Sequence, residues 1–249
     1  MKKYITLFTL VLLINCTREN TTDNEFIEVK FRPKLEYHMT PMNGSRSSEV
    51  SIVGLFYQDD DLYGVLVPDN GEVTVQLQLG YTYQIIFMGN AENFIQNMEK
   101  LSTASIDLTF NDEEQFGNDI YISSKILLTP QADMDPISIE LKRKVGIISF
   151  TPEDNPLPSN ITEVKSIITN VGCSYKLSNG NINQEKITIS AKANSNYSFK
   201  VYSFTTKNQS CDITSTIYYD DLYSRIWHLG SYTPIVNHEY CITGKLEKE

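Results

Sequence analysis

From Val73 to Leu79 the chain places Val73, Val75, Leu77 and Leu79 at alternate positions, with Thr74, Gln76 and Gln78 between them. A period of two sends successive side chains to opposite faces of an extended backbone, so this stretch reads as a strand with one buried and one wet face. The same pattern, written in Tyr, Phe, Ile, Val and Thr, runs through most of the chain. Phe26, Val29 and Phe31 begin a first strand that continues towards Met39. Further strands are read at Val50–Tyr57, Leu62–Val67, Tyr83–Met88, Ile120–Leu128 and, as one long run, Pro136–Phe150. The last third adds Val164–Ile168, Cys173–Leu177, Ile187–Ile189, Tyr197–Phe204, Ile213–Tyr219, Tyr223–Trp227 and Tyr240–Leu246. Turn residues separate them: Pro41 to Ser48, Asp59-Asp60-Asp61, Pro68-Asp69-Asn70-Gly71 and Asn179-Gly180. Many short strands at such spacing indicate an all-β chain of β-sandwiches, and no solenoid or propeller period is present.

One stretch breaks the alternation. Phe94, Met98 and Leu101 stand at i, i+4 and i+7, with Asn90 or Asn93 placed to cap, which predicts one short helix. In the long strand Ile137, Ile139 and Leu141 alternate, and Val145 and Ile147 resume after Lys142-Arg143-Lys144. This strand is expected to pass from one domain to the next, giving an N-terminal domain over 26–141 and a C-terminal domain over 142–249.

The first residues carry a different message. Met1-Lys2-Lys3 is followed by an uncharged run, Tyr4 to Asn15, and then by Cys16. A basic start, an apolar run and a processing site make a secretory signal rather than a fold element. The run is shorter than the roughly 20 apolar residues that span a bilayer. Leu12-Leu13-Ile14-Asn15-Cys16 resembles a lipobox, with Asn15 standing where Gly, Ala or Ser is usual. The resemblance implies a signal peptide over 1–15, lipid on Cys16 and a polar lipidated tether over 16–25. Two or three acyl chains on one cysteine, palmitate among them, hold a protein firmly to a membrane. Thr17 is no aspartate and favours no retention in an inner membrane, so the outer membrane is the expected location, with the protein exposed at the surface.

A net charge of −10 disfavours nucleic acid and anionic lipid as partners. Besides Cys16 the chain has Cys173, Cys211 and Cys241. In an exported protein one disulfide or buried free thiols are both open, and no C-x-x-C spacing suggests a metal. His38, His228 and His238 fall in no metal or catalytic motif, and no nucleophile elbow or phosphate loop occurs. No enzyme, cofactor or metal site is therefore expected; Asp59-Asp60-Asp61 reads as a hairpin tip lacking the rest of a calcium loop.

The run Ile139-Glu140-Leu141-Lys142-Arg143-Lys144-Val145-Gly146-Ile147-Ile148 resembles a segment of Bacteroidales fimbrillins and fimbrial anchor lipoproteins, the type V pilus subunits. Leu141, Arg143, Val145 and Ile147 match their Leu-x-Arg-x-Val-Ala-Lys-Ile run, while Gly146 replaces Ala and Ile148 replaces Lys. Val50–Tyr57, the strand ending in Gly89-Asn90 and the closing strand Tyr240–Leu246 resemble the family more loosely. The resemblance implies two transthyretin-like sandwiches and a lipid-anchored structural or adhesive subunit of surface fimbriae. Its partners would be other fimbrial subunits, the outer membrane through its lipid, and host or bacterial surface ligands. Subunits of this kind join by β-strand addition, which satisfies the bare N–H and C=O groups of a sheet edge. A shaft subunit loses its first strand to an Arg-specific protease; here Phe26, Val29 and Phe31 would leave after a cut at Arg46, in a polar loop where nicking is tolerated. An anchor or accessory subunit keeps that strand, and is the part favoured. The alternative is a glycan-binding surface lipoprotein of a nutrient-capture system, with Tyr218, Tyr219, Tyr223 and Trp227 as a stacking platform beside Asp220 and Asp221.

Overall fold

The computed structural model describes residues 25–36, 50–111 and 113–247. Among them the chain is almost wholly β. Phe26–Leu35 is β1, Ile52–Gln58 β2, Asp61–Leu66 β3, Val73–Gln78 β4 and Tyr83–Gly89 β5. Three short strands follow, Ile95–Gln96 (β6), Ser105–Asp107 (β7) and Gln115–Phe116 (β8). Next come Tyr121–Ser123 (β9), Ile126–Leu128 (β10), Ile137–Arg143 (β11) and Val145–Pro152 (β12). The remainder holds Ile161–Lys176 (β13), Ile182–Ala191 (β14), Phe199–Phe204 (β15), Cys211–Tyr219 (β16), Ser224–Tyr232 (β17) and Glu239–Gly244 (β18).

These strands make three sheets. One has eight strands in the order β3-β2-β5-β9-β11-β1-β4, with β10 also on β5. A second runs β18-β12-β15-β8, and a third β17-β16-β13-β7-β6 with β14 also on β13. The eight-stranded sheet encloses one core, in which Val29 and Phe31 meet Phe56, Phe87, Leu77 and Leu141. The other two sheets pack face to face, as a β-sandwich, over a larger core that includes Ile148, Phe150, Val164, Val201 and Ile217.

The two cores share a wall. Val53, Leu55 and Tyr57 of β2, with Ile86 and Met88 of β5, belong to the larger core, whereas Phe56, Ile85 and Phe87 belong to the smaller one. β2 and β5 are thus buried on both faces, which is why their sequences are continuous apolar runs while β4 alternates. Sheet membership also crosses the expected boundary at 141–142. β11 runs on to Arg143, and within the 95–116 stretch β7 pairs with β13 and β8 with β15.

The helix expected from Phe94, Met98 and Leu101 does not form. Ile95 and Gln96 pair instead with Ile106 and Ser105 of β7, and turns lie on either side. Asn97 has φ +51°, a left-handed backbone that interrupts a right-handed helix. Phe94 and Leu101 are buried, as their spacing suggested, but turns rather than a helix bury them. The two strands read at Val164–Ile168 and Cys173–Leu177 are one strand, β13, with register shifts between Ile168 and Val171 and again between Gly172 and Ser174. Asn170 sits there at φ +54°, so a residue that reads as a turn signal makes a bulge.

Candidate functional site

β1 is the first described strand, yet it lies inside its sheet. Phe26–Phe31 pair antiparallel with Gln78–Val73 of β4, and Phe31–Leu35 pair parallel with Ile137–Leu141 of β11. The two ladders overlap only at Phe31, so β1 acts as a splint, holding one strand along its first half and another along its second. β4 stops opposite Phe31, leaving one side of β1 beyond it without a ladder to any described residue, and there a strand tolerates Pro33.

Alternate side chains of β1 enter the core. Val29 and Phe31 are fully buried, and Pro33 is buried beside them. The Phe31 ring meets Phe56 edge-on at 5.6 Å and Phe87 at 5.7 Å, and those two meet each other at 5.9 Å. Such aromatic triads gain energy beyond the area they bury. The outward residues are charged: Arg32 Nε donates to Glu72 Oε2 at 2.8 Å, and Lys30 stands 3.8 Å from the same carboxylate. The Arg32 hydrogen bond, then the charges of Arg32 and Lys30, hold the Glu72 carboxyl below its ordinary range. At the far end of β1 the Glu36 N–H donates to the Leu141 carbonyl at 2.9 Å, and Lys142 pairs with the Glu36 carboxylate at 3.3 Å.

Of the residues singled out in the sequence, Phe26, Val29 and Phe31 stand together on β1, with Phe26 half exposed and the other two enclosed. Cys16, Arg46 and His38 lie outside the described residues. The partners that hold β1, Phe56 and Phe87, were not singled out; the available signal was a phenylalanine in each apolar run, out of phase with its neighbours.

Tyr218, Tyr219, Tyr223 and Trp227 do not make one platform. Tyr219 is buried and its hydroxyl donates to the Leu246 carbonyl at 2.9 Å. Trp227 is half-buried on the same inner face, edge-on to Phe150 at 5.7 Å. A Cβ on Gly244 would lie 2.0 Å from the Trp227 ring, so the absence of a side chain there admits the indole. Tyr218 points to the opposite, outer face and is exposed, while Tyr223 is exposed at the end of the hairpin, its ring 5.5 Å from Tyr219. Adjacent residues on a strand face opposite ways, which the run of aromatics concealed.

Asp60 and Asp61 are engaged at the β2–β3 turn. Asp60 accepts from the Ser102 N–H at 2.7 Å and its hydroxyl at 2.6 Å, and Asp61 pairs with Lys100 at 3.1 Å. Cys173 and Cys211 are buried and Cys241 exposed, all as free thiols. The His228 ring lies 3.2 Å from the Thr214 hydroxyl, and the His238 ring packs on Tyr240 at 4.4 Å.

No protein-family model and no curated protein matches this chain. Solved structures do. A candidate polysaccharide-binding protein of Bacteroides thetaiotaomicron superposes with a TM-score of 0.59 at 10% identity, over 89% of this chain and 92% of that one. This chain shares their fold. A candidate adhesin of Bacteroides ovatus gives 0.54 at 14% identity, over 85% of this chain and 79% of that one. Another candidate adhesin of B. thetaiotaomicron gives 0.56 at 11% identity, over 84% and 80%. At these identities the likeness shows the fold alone and carries no residue roles across.

Proposed function

We propose that the protein is a lipid-anchored structural or adhesive subunit of cell-surface fimbriae, an anchor or accessory part that keeps its first strand and joins its neighbours by β-strand addition. It works by assembly rather than turnover, at the outer membrane. The observation that carries this reading is the splint geometry of β1. The tether read over 16–25 leads directly into β1, so a pull on lipid at Cys16 enters the fold along that strand. Ladder hydrogen bonds lie across the strands, so such a pull loads them together in shear rather than one at a time. Both β4 and β11 take the load, and the Phe31–Phe56–Phe87 cluster resists withdrawal. The adhesin description of two of the structures above agrees with this reading.

Immunogold labelling of intact cells tests it. Gold on filaments, at base, tip or along the length, is the expected result and identifies the part played. Gold spread over an envelope without filaments rejects it in favour of the glycan-binding surface lipoprotein. That second reading has lost the platform first assigned to it, because Tyr219 and Trp227 face inwards while Tyr218 faces out.

A further inference from the structure

A cleft of about 310 Å³ lies where the first and third sheets meet, between β5, β9 and the link from β9 to β10 on one side and the end of β13 with its turn into β14 on the other. Ile86, Ile122 and Leu177 give it an apolar floor. Tyr175 adds a ring and a hydroxyl, and Ser124, Ser178 and Asn179 bring polar groups to its rim. Two lysines, Lys125 and Lys144, line it as well.

Lys144 is the unusual member. In the run Lys142-Arg143-Lys144, Lys142 pairs with Glu36 and Glu140, and Arg143 with Asp119. Among the described residues Lys144 has no ion-pair partner, although it is half-buried. Burial first, and then the charge of Lys142, push its ammonium below the ordinary lysine range, against a smaller opposing pull from Glu36. A half-buried cation with no carboxylate in ion-pair contact is costly, and an anion brought to it relieves that cost. Lys125 reaches across the cleft, its ammonium donating to the Ser178 carbonyl at 3.2 Å. It retains further N–H donors for a ligand.

The size and lining indicate what would fit. Small-ligand pockets begin at about 300 Å³, which admits a single sugar ring and little more. Hydroxyl and amide groups at the rim suit sugar hydroxyls, the apolar floor and Tyr175 suit the C–H face of a ring, and two ammonium groups suit a carboxylate or sulfate. We propose that this cleft binds an anionic sugar residue, with its carboxylate or sulfate ester on Lys144 and Lys125. The site goes beyond the fimbrial reading and does not depend on it, so either can fail alone.

The test is calorimetric titration of the full chain with a hexuronate trisaccharide, a sulfated disaccharide and a neutral trisaccharide. At least one acidic sugar should bind about tenfold or more tighter than the neutral one, the worth of one charge-assisted hydrogen bond. Which one binds tells carboxylate from sulfate. Lys144→Met should weaken that binding by about tenfold or more on the same ground. Ser124→Trp, at an exposed rim position that disturbs no core, should block it by filling the mouth. Lys200→Gln, which lies on β15 away from the cleft, should bind as the parent does. Failure of both acidic sugars to bind, equal affinity for the neutral sugar, or parent-like binding by Ser124→Trp would each overturn the proposal.

Discussion

The Tyr63 hydroxyl on β3 donates to the Gln76 carbonyl oxygen on β4 at 2.7 Å. Among the described residues β3 and β4 are the two outermost strands of the eight-stranded sheet, and there its edges meet through a side chain rather than a ladder. Tyr83 completes the closure: its ring packs edge-on to Tyr63 at 5.1 Å, and its hydroxyl accepts the Gln78 N–H at 3.1 Å. A bare edge invites foreign strands, and two phenols stand where such a strand would dock. Tyr63→Phe should keep the fold, lose about 1 kcal/mol in urea unfolding, and increase self-association in sedimentation velocity. Parent-like stability together with a monomeric boundary would refute the closure.

Phe31→Ala removes the ring that ties β1 to β2 and β5. The expected loss is about 3–5 kcal/mol, the range for deleting a fully buried aromatic ring. Arg32→Ala, one residue away on the exposed face, should barely move the urea midpoint, because ion pairs in water contribute little. Similar losses for the two variants would mean that β1 is not held by its buried face.

Packing demands a glycine at position 146. A Cβ placed there would lie 2.6 Å from the Ile235 carbonyl oxygen and 2.8 Å from its nitrogen. Backbone cannot swing aside as a side-chain tip does, so Gly146→Ala should cost about 1–3 kcal/mol. Thermal unfolding monitored by circular dichroism reads the change directly.

Thiol accessibility separates the cysteines. Burial pushes the Cys173 thiol up to about 12 and the Cys211 thiol up to about 11. Both are enclosed, whereas Cys241 is exposed and accepts only a long contact, 3.5 Å, from the Ser149 hydroxyl. Because the thiolate is the nucleophile, a maleimide at neutral pH should label Cys241 in the native protein and reach Cys173 and Cys211 only after unfolding. Peptide mass mapping of native and denatured samples checks this; native labelling of Cys173 would contradict the burial.

Stability should fall in alkali. Burial, followed by the charges of Asp60 and Glu99, raises the Tyr57 phenol to about 12, and burial with the Asp119 charge raises Tyr121 to about 12. With the two raised thiols, these groups stay protonated in the folded chain at a pH where the unfolded chain has lost their protons. The unfolded state then binds fewer protons, so stability decreases as pH rises. The contribution is whole below the ordinary thiol and phenol values, about 9 and 10, and is lost as pH climbs towards about 12. Urea unfolding at pH 8, 10 and 11 should show progressively lower midpoints, and Tyr121→Phe should flatten the trend.

The alternation of residues by itself determined that this chain is all-β and where most strands lie, because a half-buried strand must write a period of two. β4 illustrates it, with Val73, Val75 and Leu77 buried between exposed Thr74 and Gln76. Apolar spacing alone could not tell a helix from turns that bury the same residues, as Phe94 and Leu101 show; there Asn97 and the pairing with β7 decided. Which strands share a sheet was settled by contacts distant in sequence. β1 meets β11 across more than a hundred residues, and the short β7 and β8 join sheets built largely from the second half. The same holds for candidate sites. Consecutive aromatics at Tyr218 and Tyr219 look like one patch in sequence, yet the strand sends them to opposite faces. Lys125, unremarked in sequence, and Lys144, read there only as part of a long strand, line one cleft because tertiary packing brings the β9–β10 link, the β11–β12 junction and the β13–β14 turn together. Local pattern records which face of a strand is dry; only the closing of sheets upon one another decides what that face meets.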